Sequence, residues 1–270
     1  MSRPWHPSPL IKLTIALHAG AGLALAAAPG LWPQALAALA ANHAALTAAG
    51  LWPRSRWLGP NLTHLPASAT ARGEVALTID DGPDPEVTPH VLDLLDQADA
   101  RASFFCIGEQ ARRHPGLARE IFARGHTVEN HSQRHLKTFS ALGPGGMRRE
   151  VADGQATLAD ITGVPPRFFR PTAGLRNPFL EPVLARLDLQ LATWSRRAFD
   201  TRYGDPDRAL QRLGQHLTAG EILLLHDGNA ARTPNGQPLI LEVLPALLAH
   251  MAASGLRPVS LASALESDPS

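Results

Sequence analysis

Only one cysteine occurs in this sequence, and acidic residues are absent from its beginning. With no second cysteine, an internal disulfide is excluded. Cys106 lies in the apolar run 103–107, which favours a small buried hydrophobe over a nucleophile or metal ligand. No acidic residue precedes Glu74, whereas the chain after residue 73 holds 20 basic and 24 acidic residues. The excess of acid over base there disfavours the broad positive surface that nucleic-acid binding needs.

Charged residues are also missing between Leu13 and Pro53. The uncharged stretch divides at Pro29-Gly30 into two apolar runs, residues 10–28 and 31–51, each about 20 residues and long enough to cross a bilayer as a helix. We therefore predict an N-terminal membrane segment over residues 1–53 that forms a helical hairpin. The alternatives are a single span, cleaved as a signal peptide or retained, and a peripheral hairpin on the surface of the protein or the bilayer.

Basic residues flank this segment and suggest its orientation. With two spans, both Arg3/Lys12 and Arg54/Arg56 fall on the cytoplasmic side. We accordingly predict a bacterial-type inner-membrane anchor whose main domain faces the cytoplasm. Loss of one span inverts the topology and gives a periplasmic domain.

Strand and helix patterns alternate after a Pro-rich linker at residues 54–73. Predicted strands occupy residues 74–79, 102–107, 126–129, 167–169, 189–194 and 221–225. Predicted helices occupy residues 88–98, 114–124, 147–162, 178–187, 207–217 and 239–253. This alternation predicts an α/β domain at residues 74–270 with a parallel sheet, curled or closed, whose functional groups collect at the C-terminal strand ends.

Two adjacent carboxylates, Asp80 and Asp81, end the first of these strands. Such a pair can divide its work between binding a metal and acting as a base, provided that the backbone turns both groups into one cavity. A structural turn before Gly82-Pro83 is an equally good interpretation of this segment alone.

Histidines four residues apart, His131 and His135, follow the third strand. On a single helical turn both rings would face the same side. Together with Asp81 they would supply three ligands and leave positions for water, as a catalytic Zn²⁺ site requires.

Two further strand ends carry ionisable residues. Arg170 follows the strand at 167–169; in isolation this segment would indicate a surface arginine at a turn, but beside the other strand ends we predict that it holds Asp80 ionised and oriented. His226 ends the strand at 221–225, where an imidazole can protonate a leaving group.

With these residues in view, the chain resembles the polysaccharide deacetylase family (NodB homology, carbohydrate esterase family 4). The resemblance covers about residues 74–265. It rests on the ordered segments TIDDGP, HSQRH, RPTAG and LLLHD. It implies a deformed (β/α) barrel of the NodB-homology type, with Asp81, His131 and His135 as metal ligands. It further implies Asp80 as the general base, Arg170 as its orienting partner and His226 as the general acid.

The function implied by this resemblance is metal-dependent hydrolysis of N-acyl groups, chiefly N-acetyl, on an amino sugar in a polysaccharide or glycolipid. The implied cofactor is a divalent metal, Zn²⁺ before Co²⁺. The implied partners are an amino-sugar polysaccharide or a lipid-linked amino sugar. Alternatives are a deformylase-like enzyme acting on a polyprenyl-linked amino sugar and an inactive carbohydrate-binding relative.

Departures from the family pattern affect the substrate side of the site. Thr172 and Ala173 stand where many members carry an aromatic residue, and Arg197 aligns with an Asp that tunes the catalytic histidine. Asp200 matches a later acidic position, so the partner of His226 stays open. Trp194 is predicted as a packed wall, with sugar stacking as the lesser alternative. The residues predicted to contact substrate are Pro171, Thr172, Trp194, Asp200 and Leu224.

Overall fold

A hairpin of two apolar helices opens the chain. The computed structural model describes residues 3–266, so the outer ends of the predicted segments, residues 1–2 and 267–270, lie outside the described part. Helix α1 (Pro9–Ala27) is separated from α2 (Trp32–Leu51) by a short turn of 3₁₀ helix, Pro29–Leu31. Ser8 caps α1 by accepting the N–H of Ile11 on its hydroxyl oxygen. The two predicted helical runs are therefore present.

Within residues 3–266, α1 alone is long and apolar enough to cross a membrane, and only 6% of its apolar stretch is buried. The two-span interpretation is thus supported for α1 and stays a prediction for α2. The end of α2 packs closely on the main domain, where the carbonyl of Gly50 accepts the N–H of Arg176 at 3.1 Å. A Cβ at Gly50 would lie 2.2 Å from the Arg176 carbonyl oxygen, so the close approach requires glycine.

An eight-stranded parallel sheet forms the centre of the main domain and confirms the predicted α/β class. The strands run in the order β5-β4-β3-β2-β1-β7-β6, and β8 pairs with the first half of β1. They are β1 (Glu74–Asp80), β2 (Ser103–Cys106), β3 (Thr127–Asn130), β4 (Phe168–Phe169), β5 (Gln190–Leu191), β6 (Arg196–Arg197), β7 (Ile222–His226) and β8 (Arg257–Val259).

Helices connect the strands and cover the sheet, as the alternating pattern predicts. They are α3 (Ala67–Ala71), α4 (Thr88–Gln97), α5 (Gly108–Arg113), α6 (Pro115–Ala123), α7 (Pro144–Thr162), α8 (Leu180–Arg186), α9 (Pro206–Gly214), α10 (Leu239–Ala253) and α11 (Leu261–Glu266). The short elements α3, α5, β6, β8 and α11 were absent from the sequence prediction.

The alternation of β1 sends its side chains into two apolar clusters. Val75, Leu77 and Ile79 join the large cluster formed with helices such as α4 and α10. Ala76 joins a smaller cluster on the other face of the sheet. Because strand side chains alternate, Asp80 shares the second face with Ala76. The concave side of the curled sheet therefore presents Asp80 at the carboxyl end of its strand.

Candidate active site

The carboxylates of Asp80 and Asp81 are both buried at the end of β1. Asp81 adopts a φ of 80°, a left-handed conformation that is uncommon outside glycine but tolerated by aspartate. This turn is the backbone change that the sequence analysis required for both side chains to enter one cavity. Oδ1 of Asp81 and Oδ2 of Asp80 lie 3.2 Å and 3.8 Å from the same Nε2 of His131.

Arg170 is fully buried and directs its guanidinium at Asp80. Its Nη1 lies 2.6 Å from Oδ1 of Asp80 and 2.9 Å from the hydroxyl of Thr78. The remaining donors bind the carbonyls of Ala192 and Thr193, and the group lies 4.0 Å from the ring centroid of Phe105. The planar fork is thereby fixed, and the structure brings Arg170 to Asp80 as the sequence analysis expected.

A three-ligand cluster combines Asp81 with both predicted histidines. The Nε2 atoms of His131 and His135 each lie 3.2 Å from Oδ1 of Asp81, and one ligand atom from each residue falls within 4.8 Å of the others. The suggested helical turn is wrong, because residues 131–135 form a loop in which Ser132 and His135 have positive φ values. The hydroxyl oxygen of Ser132 accepts the N–H of His135 and stabilises this loop.

The protonation of the cluster fits a bound cation. His131 places Nδ1 2.7 Å from the carbonyl oxygen of Arg170, so in the neutral ring Nδ1 carries the proton and Nε2 presents a lone pair. Oδ1 of Asp81 is buried and has no hydrogen-bond partner among the described residues. Two acceptor atoms facing each other in a buried site need a cation between them. The three residues are therefore a possible metal site.

Charges around Asp81 favour its ionised form. Burial alone raises the pKa of Asp81, but the nearby imidazole of His131 and the charges of His226 and His135 outweigh burial and hold the pKa well below its usual range. An ionised carboxylate is the form that a metal ligand requires.

His226, at the end of β7, is held by Asp200. Its Nδ1 donates to Oδ1 of Asp200 at 2.8 Å, and its backbone N–H donates to Oδ2 at 2.7 Å. Burial lowers the pKa of His226, but the charge and hydrogen bond of Asp200, with the charges of Asp81 and Asp80, raise it to about 9. The imidazole is therefore protonated at neutral pH.

Asp200 differs from its sequence prediction as a substrate-contacting residue. Its side chain is fully buried, and both oxygens bind His226. The positive φ of Phe199 turns the chain just before this residue. Asp200 is thus a positioning residue that acts through His226. Arg197 forms no hydrogen bond with His226 among the described contacts, so Asp200 is the group that tunes this histidine.

The other residues predicted to contact substrate are placed unequally. Thr172 is buried, and its hydroxyl has no hydrogen-bond partner within residues 3–266. Leu224 is 1% exposed in the middle of β7. Trp194 is 5% exposed with its ring 5.7 Å from the Arg170 guanidinium, as a packed wall would be. Pro171 directly follows Arg170 and is buried.

Two residues near the site were given no role by the sequence analysis. Asn229 donates from Nδ2 to Oδ2 of Asp81 at 3.2 Å, and its loop position follows no periodic pattern. Asp227 accepts from the Thr88 hydroxyl and the Gly228 N–H, and burial raises its pKa to about 7. Its position directly after His226 in the sequence was the one feature that could have indicated that Asp227 lies near the site.

Comparison with known proteins agrees with this geometry. A family model described as polysaccharide deacetylase matches residues 67–192. A peptidoglycan-N-acetylglucosamine deacetylase of Bacillus cereus is 31% identical over 175 residues, which cover 64% of this chain and 81% of that protein. This chain belongs to the polysaccharide deacetylase family. It is accordingly a hydrolase that acts on carbon–nitrogen bonds other than peptide bonds, which confirms the predicted enzyme class.

Further members of the polysaccharide deacetylase family extend the comparison. A chitooligosaccharide deacetylase of Sinorhizobium fredii is 33% identical, with 62% of this chain and 78% of that protein covered. A family 4 carbohydrate esterase from Streptomyces lividans, solved with acetate, matches with a TM-score of 0.62 and 31% identity over 69% of this chain and 91% of its own. A CE4 family pseudoenzyme from Bacillus anthracis matches with a TM-score of 0.68 and 21% identity over 76% of this chain and 69% of its own, and this likeness shows the fold alone.

Proposed function

We propose that this protein is a metal-dependent N-deacetylase of an amino-sugar polymer. The observation that carries the proposal is the meeting of Asp80 with Arg170, of Asp81 with two histidines, and of His226 with Asp200. The peptidoglycan and chitooligosaccharide deacetylases similar to this chain support N-acetylglucosamine units as the substrate.

The metal proposal rests on Asp81, His131 and His135 as ligands. A divalent cation held there, Zn²⁺ before Co²⁺, would polarise the acyl oxygen and lower the pKa of a water molecule. The acceptor Nε2 of His131 and the buried Oδ1 of Asp81, which has no hydrogen-bond partner among the described residues, support this assignment.

The chain's own groups then divide the proton transfers. Asp80, kept oriented by Arg170, accepts a proton from the attacking water as the new carbon–oxygen bond forms. His226, protonated at neutral pH, donates its Nε2 proton to the departing amine as the carbon–nitrogen bond breaks. The products are acetate and the free amino sugar.

The test is release of acetate from chitotetraose and from purified peptidoglycan, with Asp80→Asn as the critical variant. We expect a fall of roughly 10²- to 10⁴-fold in kcat, the usual contribution of a general base, with metal content unchanged. Asp160→Asn, an exposed change of the same kind on α7, serves as the matched control. Undiminished turnover in folded Asp80→Asn would refute the assignment.

We further propose that residues 1–53 anchor the enzyme to a membrane, that 54–73 link the anchor, and that 74–270 form the catalytic domain. A cytoplasmic domain suits a lipid-linked amino sugar, whereas a periplasmic one suits cell-wall polymer. Among residues 3–266, α1 alone is long and apolar enough to span a membrane, and Arg3 before it and Lys12 in its first turn favour the periplasmic arrangement for one span. Alkaline phosphatase fused after Ser270 is active only on the periplasmic side, and a fluorescent cytoplasmic fusion gives the opposite result.

A further inference from the structure

A second pocket, of about 460 Å³, lies beside the proposed active site. Trp194 forms one of its walls. The guanidinium of Arg170, which binds Asp80, lies 5.7 Å from the centre of the Trp194 ring, and that of Arg197 lies 5.2 Å from it. The same aromatic side chain therefore contacts the buried catalytic group and lines the second pocket.

Four arginines line this pocket, and no acidic residue does so among its described lining residues: Arg54, Arg196, Arg197 and Arg212. Arg196 pairs with Glu221. Within residues 3–266 the other three form no ion pair with a carboxylate. Because one ion-paired carboxylate serves four guanidinium groups, the pocket keeps an excess of positive charge that attracts an anion.

The arginines are held in place but keep free donors. Arg54 and Arg212 each donate from Nη1 to one backbone carbonyl, of Ser195 and Ala198 respectively, both at 3.2 Å. Arg197 stacks 4.3 Å from the centroid of Phe199, and its Nε is buried without a hydrogen-bond partner in the described part of the chain. A guanidinium has five N–H donors, and a forked pair of them matches the oxygens of a carboxylate or phosphate.

We infer that this pocket binds an anionic substituent of the amino-sugar substrate, a phosphate or a carboxylate, while Asp80 and His226 act on the acyl group. The inference rests on the proposed function and narrows its substrate to an amino sugar that carries negative charge. Arg197 on β6 pairs in register with Leu224 on β7, two residues before His226, so the substituent lies close to the reacting group. Trp52 and Arg54 place the other side of the pocket directly after α2.

Binding is measured by calorimetry on the full chain in nonionic detergent. The probes are N-acetylglucosaminyl phosphate, N-acetylmuramic acid with its carboxylate, and neutral N-acetylglucosamine. We expect at least one anionic sugar to bind about tenfold or more tightly than the neutral one, as one charged hydrogen bond predicts. Preference for the phosphate indicates a phosphate-linked sugar as the source, and preference for the carboxylate indicates a muramic-type sugar.

Variants assign the preference to the pocket. Arg197→Gln and the exposed Arg54→Gln should each reduce the preference roughly tenfold. Arg148→Gln, exposed on α7 and outside the pocket, should retain it. Equal binding of all three sugars, or an undiminished preference in folded Arg54→Gln and Arg197→Gln, overturns the inference.

Turnover separates the inference from the proposed function. If no acetylated substrate is hydrolysed but the arginine-dependent preference is present, the proposed function fails and the pocket assignment stands. If chitotetraose is hydrolysed and the three sugars bind equally, the pocket assignment fails alone.

Discussion

Asp200 binds the ring and the backbone of His226 at once, with its two carboxylate oxygens 2.8 Å from Nδ1 and 2.7 Å from the main-chain nitrogen. The double contact fixes both the position of the imidazole and the nitrogen that faces the cavity. The negative charge of Asp200 also compensates much of the positive charge on protonated His226, the proposed acid.

Replacing Asp200 by Asn should lower kcat by about 10- to 100-fold and shift its pH dependence. Burial lowers the pKa of His226, and Asp200 is the chief group that raises it to about 9. The pKa of His226 is therefore lower in the variant. Because the acid must be protonated, the decline of kcat at high pH moves to lower pH. The pH profile is compared with that of Asp207→Asn, an exposed change on α9. An unshifted profile contradicts the role given to Asp200.

Removal of the metal should abolish turnover, and so should loss of a ligand. Chelation followed by Zn²⁺ or Co²⁺ addition should restore activity in the wild type. His135→Ala should bind less than about a tenth of the wild-type metal under dilute conditions, since it removes one of three ligands. Metal content is measured by mass spectrometry, with His90→Ala, exposed on α4, as the control. Full metal occupancy in His135→Ala would show that the cluster is not the binding site.

The sequence was sufficient to predict which residues lie at the ends of the main strands, but not the short elements between them. Asp80 and His226 follow apolar runs, so a parallel sheet necessarily brings them to one edge, and the structure pairs Asp80 with His226 in register. The strands β6 and β8 both begin with arginine and contain no apolar run, so they give no strand signal.

Local turns explain the errors in the site. The two histidines were assigned to a helical turn from their spacing, but positive φ values at Ser132 and His135 create a loop that brings the rings together instead. Asp200 was predicted to contact substrate because an alignment without gaps placed Arg197, and not Asp200, at the position of the residue that tunes His226. Phe199 has a positive φ that turns the chain just before Asp200. An alignment of residue positions does not reveal such a turn, because the turn depends on tertiary packing.

Arg170 should also be important for stability. Arg170→Met leaves Asp80 buried without its cation and four acceptors without their donor, and we expect a loss of about 3–5 kcal/mol in the free energy of unfolding. Urea denaturation measures the change. Arg149→Met, exposed on α7, should change stability by less than about 0.5 kcal/mol. A small effect of Arg170→Met would contradict the structural importance given to this buried ion pair.

Glu129 should make the fold less stable as pH rises. Burial raises its pKa from 4.5 to about 7, although the N–H groups of Arg167 and Phe168 donate to it. The unfolded chain releases this proton first, so stability is lost between pH 4.5 and 7 and then stays level. Glu129→Gln should remove this component, seen as a smaller decline in unfolding free energy across that range. Glu86→Gln, an exposed change, should retain the wild-type decline.

Gly228 controls how closely the loop after β7 approaches the metal cluster. A Cβ at this position would lie 2.5 Å from the carbonyl oxygen and 2.9 Å from the Cβ of Asp81, so the loop and Asp81 must move apart. Gly228→Ala should therefore weaken metal affinity by about 10- to 100-fold, as displacement of a ligand's support does. Competition with a fluorescent Zn²⁺ chelator measures this affinity. Gly116→Ala meets open space in α6 and is the control. Wild-type affinity in Gly228→Ala would contradict the prediction and show that the loop after β7 moves without displacing Asp81.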